Sequence, residues 1–273
     1  MVSQEQRRRQ LAREKFLRQQ QRRTEARRKS RVRNSVIASV LGVVLVGGGA
    51  LYTTGAFERD DDKTNANAEV TPSAAPTGKA PDPCDKPAEG KVKSKTWEKE
   101  PAVAIDKSAK YTLKLDTTCG GIDVALKASA APHTVNSFDF LAKKGYFDHS
   151  KCHRLTTNGI YVLQCGDPTG TGTGGPGYTI PDENLKDESL KDNIYPAGTV
   201  AMANTGQKDS GGSQFFLVYQ DSQLPPSYTP FGTVSDAGMK VLKKIADAGE
   251  STGAGDGAPN ATVVIDKATV TTS

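Results

Sequence analysis

Gly198-Thr199-Val200-Ala201-Met202-Ala203-Asn204-Thr205, followed a few residues later by Gly212-Ser213-Gln214-Phe215-Phe216, is the stretch whose reading decides the fold. Each piece opens on glycine and runs into a short apolar segment, the pattern of two strands joined by a polar loop. Working outward, similar short apolar runs fall at 160–163, 215–219 and 231–234, and a last one starts at 262–265. Upstream, 111–115 and 122–126 alternate apolar and polar residues around Gly120-Gly121, which predicts a hairpin with its turn at the glycines. Pro132 opens a helix where a missing N–H costs little, Val135, Phe138 and Leu141 form its buried stripe, and Gly145 ends it. A second helix is expected from about Asp236, a plausible N-cap, to Gly249, with Met239, Leu242, Ile245 and Ala246 facing inward. Many short strands and two helices predict a mainly β domain over 101–273, a closed antiparallel barrel capped at its ends.

The rest of the chain is organised by charge. Residues 1–33 carry thirteen Arg and Lys against Glu5, Glu14 and Glu25, a net of +10, whereas the whole chain is +5; residues 34–273 therefore sum to −5. The basic character belongs to a tail, and the remainder gives no electrostatic case for nucleic acid. Residues 34–57 contain no charged residue. At about 1.5 Å per residue such a helix reaches about 36 Å, enough to cross a hydrocarbon core of ~30 Å. Arg31 and Arg33 precede it and Glu58-Arg59-Asp60-Asp61-Asp62 follow, so the positive-inside bias predicts a single-pass transmembrane helix. The N-terminus is then cytoplasmic and residues 58–273 are extracytoplasmic. A cleaved signal peptide is the rival reading, at odds with so long a basic segment before the apolar one.

Residues 58–100, with Pro72, Pro76, Pro81, Pro83 and Pro87 among Ala, Thr, Ser and Lys, read as a disordered linker. Trp97, the only tryptophan, is expected to pack on the flank of the folded domain. All four cysteines, Cys84, Cys119, Cys152 and Cys165, lie on the extracytoplasmic side, and an even count there predicts two disulfides. A zinc site through Cys152, His153 and Cys165 is the alternative, but the spacing fits no standard pattern.

Several chemistries are set aside by spacing. Gly170 to Gly177 looks like a phosphate cradle, yet no Gly-Lys-Ser/Thr follows it and no helix begins there. Gly211-Gly212-Ser213 is not a nucleophile elbow, and none of the three histidines is placed as a general base for a serine or cysteine.

What remains is a joint pattern: Cys152-His153-Arg154-Leu155, Val162-Leu163-Gln164-Cys165-Gly166-Asp167, the two opening segments, then Leu224-Pro225 and Tyr228-Thr229-Pro230-Phe231-Gly232. In order and spacing it resembles the cyclophilins, prolyl isomerases built on an eight-stranded antiparallel barrel with two helices, over residues 108–270. Ala131 to Phe138 is similar to that family's first helix. The resemblance implies Arg154 as the catalytic arginine and Gln164 and Asn204 as the polar residues holding the substrate backbone. It implies Tyr161, Val162, Phe216 and Leu224 as walls of a proline pocket, with Ala203, Gln214 and Tyr228 beside it. No cofactor and no metal are implied; the partners are proline-containing polypeptides, and nothing suggests a dimer.

Such residues suit the reaction. Amide resonance opposes rotation by roughly 18–20 kcal/mol. Twisting the bond returns a lone pair to the prolyl nitrogen, and a fixed guanidinium then donates to that nitrogen only in the twisted state. A low-turnover barrel that merely holds proline-containing segments is the alternative function. Three departures bear on these expectations. The run between Arg154 and Gln164 is about two residues longer than in many members, Gln223 stands where cyclosporin-sensitive members have tryptophan, and Tyr228 replaces a common histidine. Cys152 and Cys165 flank the lengthened run and are expected to pair, leaving Cys84 with Cys119; the other two connectivities stay open.

Overall fold

The computed structural model describes residues 81–273; the expected tail at 1–33, the span at 34–57 and the linker up to residue 80 lie outside the described residues. Among the described residues, no helix is long and apolar enough to cross a membrane.

The domain is built from short antiparallel strands and two helices. In chain order these are β1 (Tyr111–Thr117), β2 (Gly120–Leu126), α1 (Pro132–Lys143), β3 (Ser150–Lys151), β4 (Arg154–Thr156) and β5 (Val162–Cys165). There follow β6 (Ile194–Tyr195), β7 (Thr199–Met202), β8 (Phe215–Val218), β9 (Ser222–Gln223) and β10 (Pro230–Val234). The chain closes with α2 (Asp236–Asp247), β11 (Asp256–Gly257) and β12 (Val264–Thr272). Ten of the strands form one sheet in the order β11-β4-β5-β8-β7-β10-β2-β1-β12-β3, and β6 pairs separately with β9.

The sheet has ten strands where eight are expected, for two reasons. β3 and β4 are pieces of one run, interrupted at Cys152 and His153, and the two-residue β11 adds itself to the edge through Asp256 opposite Thr156. β3 lies at one end of the order and β4 near the other, so that run carries the chain across and the sheet curls back on itself.

Local physics explains smaller differences. The turn between β1 and β2 is at Thr118-Cys119, and Gly120 and Gly121 are paired strand residues opposite Thr117 and Asp116. Cys119 is held there by its disulfide to Cys84, and the Thr118 hydroxyl donates to the carbonyl of Thr262 at 2.6 Å. The second helix is capped by Ser235, whose hydroxyl accepts from the Gly238 N–H, and Asp236 is its first residue. Helix α1 has no cap of its own, so the carboxylate of Glu183 accepts from His133 N, Thr134 N and the Thr134 hydroxyl. That satisfies donors a helix start leaves open and sets a negative charge where the dipole favours it.

The core lies between the curled sheet and α1. Phe138 stands with its ring centroid 5.2 Å from Phe147, 5.4 Å from Phe215 and 4.6 Å from Phe231. Pairs of this kind add about 0.5–1.5 kcal/mol each beyond their buried area. A second, smaller apolar cluster on the opposite face of the sheet joins Val162, Tyr195, Ala201, Phe216, Val218 and Leu224. β8 feeds both by strict alternation: Phe215 and Leu217 enter the main core, Phe216 and Val218 the second cluster.

Residues 81–100, read from composition as linker, contain no helix or strand but are fastened to the domain. Cys84 is disulfide-bonded to Cys119, Asp85 N donates to Thr118 O at 2.8 Å, and Trp97 N donates to Pro176 O at 2.8 Å. The Trp97 ring lies 5.1 Å from Phe140 and 5.9 Å from Tyr146. One disulfide and one indole supply contacts that an average over a proline-rich composition does not register.

Candidate active site

The second apolar cluster opens into a cavity of about 180 Å³, lined by Arg154, Ile160, Val162, Gln164, Ala203, Asn204, Phe216, Leu224 and Tyr228. Four adjacent strands deliver its floor by register. Arg154 on β4 stands opposite Gln164 on β5, Gln164 opposite Phe216 on β8, and Phe216 opposite Ala201 on β7. The apolar wall is Val162, Phe216 and Leu224, all buried, with the Tyr228 ring edge-on to Phe216 at 5.4 Å.

Arg154 is fixed from two sides. Its Nε and Nη2 each donate to the Asp256 carboxylate at 2.8 Å, and Nη1 donates to Gln164 Oε1 at 3.2 Å. A guanidinium carries five N–H groups, so two stay available. Gln164 passes the chain of bonds on: its Nε2 donates to Gln214 Oε1 at 2.9 Å, and Gln214 Nε2 donates to the Gly174 carbonyl at 2.9 Å. Gln214 thus orients Gln164 without lining the small cavity. The hydrogen bond from Arg154 holds the Asp256 carboxyl below the usual carboxylate range, so this pair is ionised at neutral pH.

Asn204 has its amide engaged within the protein: Nδ2 donates to Ser227 O at 2.7 Å, and Oδ1 accepts from Gly206 N at 3.0 Å. It therefore pins the loop that carries Tyr228. Tyr195 pins that loop as well, donating its hydroxyl to Tyr228 O at 2.8 Å and accepting from Tyr228 N at 3.2 Å.

Tyr161, expected in the wall, is corrected to a different place. Its ring packs against Tyr219 at 5.9 Å, and Ile160 lines the cavity instead. The reason is parity: Gln164, Val162 and Ile160 are two apart and share a face, while Tyr161 falls on the other. The connection between Arg154 and Gln164 turns through a tight bend with Asn158 bridged to Ile160. Asp256, Ile160 and Tyr195 are the site residues that sequence reading passed over. Strand parity was the available signal for Ile160; nothing in sequence marks Asp256, which lies 102 residues from Arg154.

Cys152 and Cys165 are joined as a disulfide across the strands that carry Arg154 and Gln164, so neither sulfur is free as a zinc ligand. His153 between them has both ring nitrogens buried and without a hydrogen-bond partner among the described residues. The glycine-rich loop after Asp167 folds around that carboxylate, which accepts the N–H groups of Thr169, Thr171, Gly172 and Thr173. Burial alone raises the Asp167 pKa, but these bonds outweigh it and bring it down to about 2. The cradle holds the protein's own anion, and a side chain at Gly174 would run into it.

An antiparallel curled sheet with two helices, carrying a fixed arginine at the mouth of an apolar pocket, defines a prolyl-isomerase-type domain. A family model described as cyclophilin type peptidyl-prolyl cis-trans isomerase matches residues 112–270, and the chain belongs to this family. It is 44% identical over 208 residues to the "Probable peptidyl-prolyl cis-trans isomerase B" of Mycobacterium leprae, covering 73% of this chain and 65% of that one. The protein of the same description from Mycobacterium tuberculosis is 47% identical over 165 residues, covering 58% and 53%. The chain thus spans between about half and two thirds of the length of these mycobacterial relatives. A peptidyl-prolyl cis-trans isomerase of Helicobacter pylori is 40% identical over 154 residues, with 88% of its length covered. A Cryptosporidium parvum cyclophilin structure aligns at 25% identity with a TM-score of 0.48, covering 59% of this chain and 98% of that one.

Proposed function

We propose that this protein catalyses cis/trans isomerisation of X–Pro bonds in polypeptides outside the cytoplasmic membrane. It does so from a closed eight-stranded cyclophilin barrel tethered by the helix expected at 34–57. The observation that carries the reading is Arg154, clamped by Asp256 and Gln164 at the rim of a cavity whose wall is Val162, Phe216 and Leu224. A prolyl ring seats against those apolar side chains, and Gln164 and Asn204 border the path of the flanking backbone. The two free N–H groups of Arg154 stabilise the pyramidal nitrogen of the twisted amide more than either planar isomer, and each 1.36 kcal/mol of that difference is tenfold in rate. Uncatalysed isomerisation takes tens to hundreds of seconds and limits folding, which gives a catalyst its use. Two disulfides support an oxidising, extracytoplasmic setting.

The test is two-dimensional NMR exchange on a proline-containing peptide, which reads turnover without a coupled protease. Arg154→Ala is expected to lower kcat/KM by about 10²-fold, the usual effect of removing one transition-state donor. Equal exchange by wild type and Arg154→Ala would instead favour a binding module.

A further inference from the structure

The fastened segment 81–100 reaches beyond its packing contacts into a second cavity. This larger cavity, of about 1030 Å³, adjoins the proline pocket and shares Gln164, Ala203 and Asn204 with it. Part of its wall comes from Glu98, Lys99 and Glu100, directly after the residue that is bonded to Pro176 and packed on Phe140. The remaining wall, drawn from 172–181 and 203–214, carries no charged side chain. Among the described residues, every charged side chain lining this cavity therefore belongs to the segment before the family match, which begins at residue 112.

We propose that residues 98–100 are a specificity-determining wall of the substrate groove, selecting basic over acidic residues beside the isomerised proline. The inference rests on the isomerase reading for its substrate and goes beyond it in naming the preference. A chain whose proline sits in the small pocket passes Gln164, Ala203 and Asn204 and enters the larger cavity on one side only. At about 3.3–3.6 Å per residue, a side chain two positions from the proline is within reach of the wall. There it meets two carboxylates and one ammonium. Glu100 is held by His133 Nδ1 at 3.1 Å, and neither Glu98 nor Lys99 has an ion-pair partner among the described residues. A cation in the substrate gains partners there, and an anion faces two like charges. The wall is held on both sides: Trp97 packs on Phe140 and Tyr146 before it, and after it Asn136 donates Nδ2 to the Pro101 and Ala102 carbonyls and accepts Ala104 N–H on Oδ1.

The experiment uses the full chain and two peptide pairs built on Ala-Pro. One pair carries Lys or Glu two positions before the proline, and the other carries them two positions after it. Binding is measured by calorimetry and turnover by NMR exchange. The expected result is that one pair, and one only, shows the Lys peptide bound about twofold to fivefold more tightly, the range of exposed charge pairs. The preference shrinks at 0.5 M salt, where screening falls to a few ångströms. Lys99→Gln enlarges it, and Glu98→Gln with Glu100→Gln reverses it, because Lys99 is then the only charge on the wall. Equal binding within both pairs, or a ratio unmoved by either variant, would overturn the wall. Absence of exchange at Ala-Pro with the charge preference intact would sink the isomerase reading and leave the wall standing.

Discussion

At the scale of single residues, the site depends on partners that hold Arg154 more than on the arginine alone. Asp256 takes two of its N–H groups, and its own side chain is 56% exposed, so the pair is worth what exposed ion pairs are worth. Asp256→Asn is expected to lower kcat/KM about twofold to fivefold, far less than loss of Arg154, and Asp256→Glu should restore part of it. A drop in kcat with KM unchanged would mark the residue as one that positions the arginine. His153 makes a different prediction. Burial pushes its pKa down, Arg154 acts in the same direction, and Asp167 opposes both. Above about pH 6.5 the ring is neutral in the folded and unfolded chain alike, so this contribution to stability is fully present. As pH falls from there toward the lower folded value, the unfolded chain binds a proton that the folded ring resists, and stability is lost. Urea unfolding at pH 7.5 and pH 5 should show this loss, and His153→Leu should flatten it. Since neither ring nitrogen has a partner, the leucine is expected to be close to neutral at pH 7.5.

At the scale of elements, β4 and β5 are a two-strand support for the chemistry. Their ladder is short, with only Arg154–Gln164 and Leu155–Leu163 in register. The lengthened connection between them offers little further pairing, so the Cys152–Cys165 bond clamps the end that carries Arg154. With a sequence separation of 13, this bond is expected to stabilise the domain by about 3 kcal/mol on the chain-entropy model. Cys152→Ala with Cys165→Ala should lower the unfolding free energy by that order, and should lower kcat as the arginine loosens. A variant with unchanged stability but lower kcat would assign the bond to the site alone. Gly166 next to it is fixed by backbone: φ is +87°, and a Cβ there would collide with the Ser213 carbonyl. The helices show which local rules tertiary contacts replace. Ser235 caps α2 from within its own sequence, whereas α1 borrows Glu183 from a loop 49 residues away.

At the scale of the whole molecule, the chain divides into a basic tail, an apolar segment and the domain with its fastened arm. If the segment at 34–57 anchors the protein, the full chain will sediment with membranes and resist carbonate extraction. Protease added outside intact cells will then reach the domain but not the tail. Recovery in the soluble fraction would reject the anchor.

How much of this was legible in the sequence follows from how local each feature is. Charge, hydropathy and alternation are local sums, so the tail, the uncharged stretch 34–57, the alternating β1 and β2 and the stripe of α1 could be read directly. The opening stretch likewise shows β7 and β8 as short apolar runs; the resemblance implied Phe216 as a pocket wall, and the fold puts Phe215 in the main core and Phe216 in the second cluster. Other features were settled only when the chain closed on itself. The partner of Arg154 is 102 residues away, the cap of α1 is 49 away, and the arm is fastened beside the groove by Trp97 on Pro176 and Phe140. Residue type and spacing carry no term for such contacts, because their energy exists only once packing has brought distant side chains within hydrogen-bond or van der Waals reach. Which chemistry the pocket needs was therefore written in the sequence; what holds the arginine, and what walls the groove beside it, was decided by the tertiary structure.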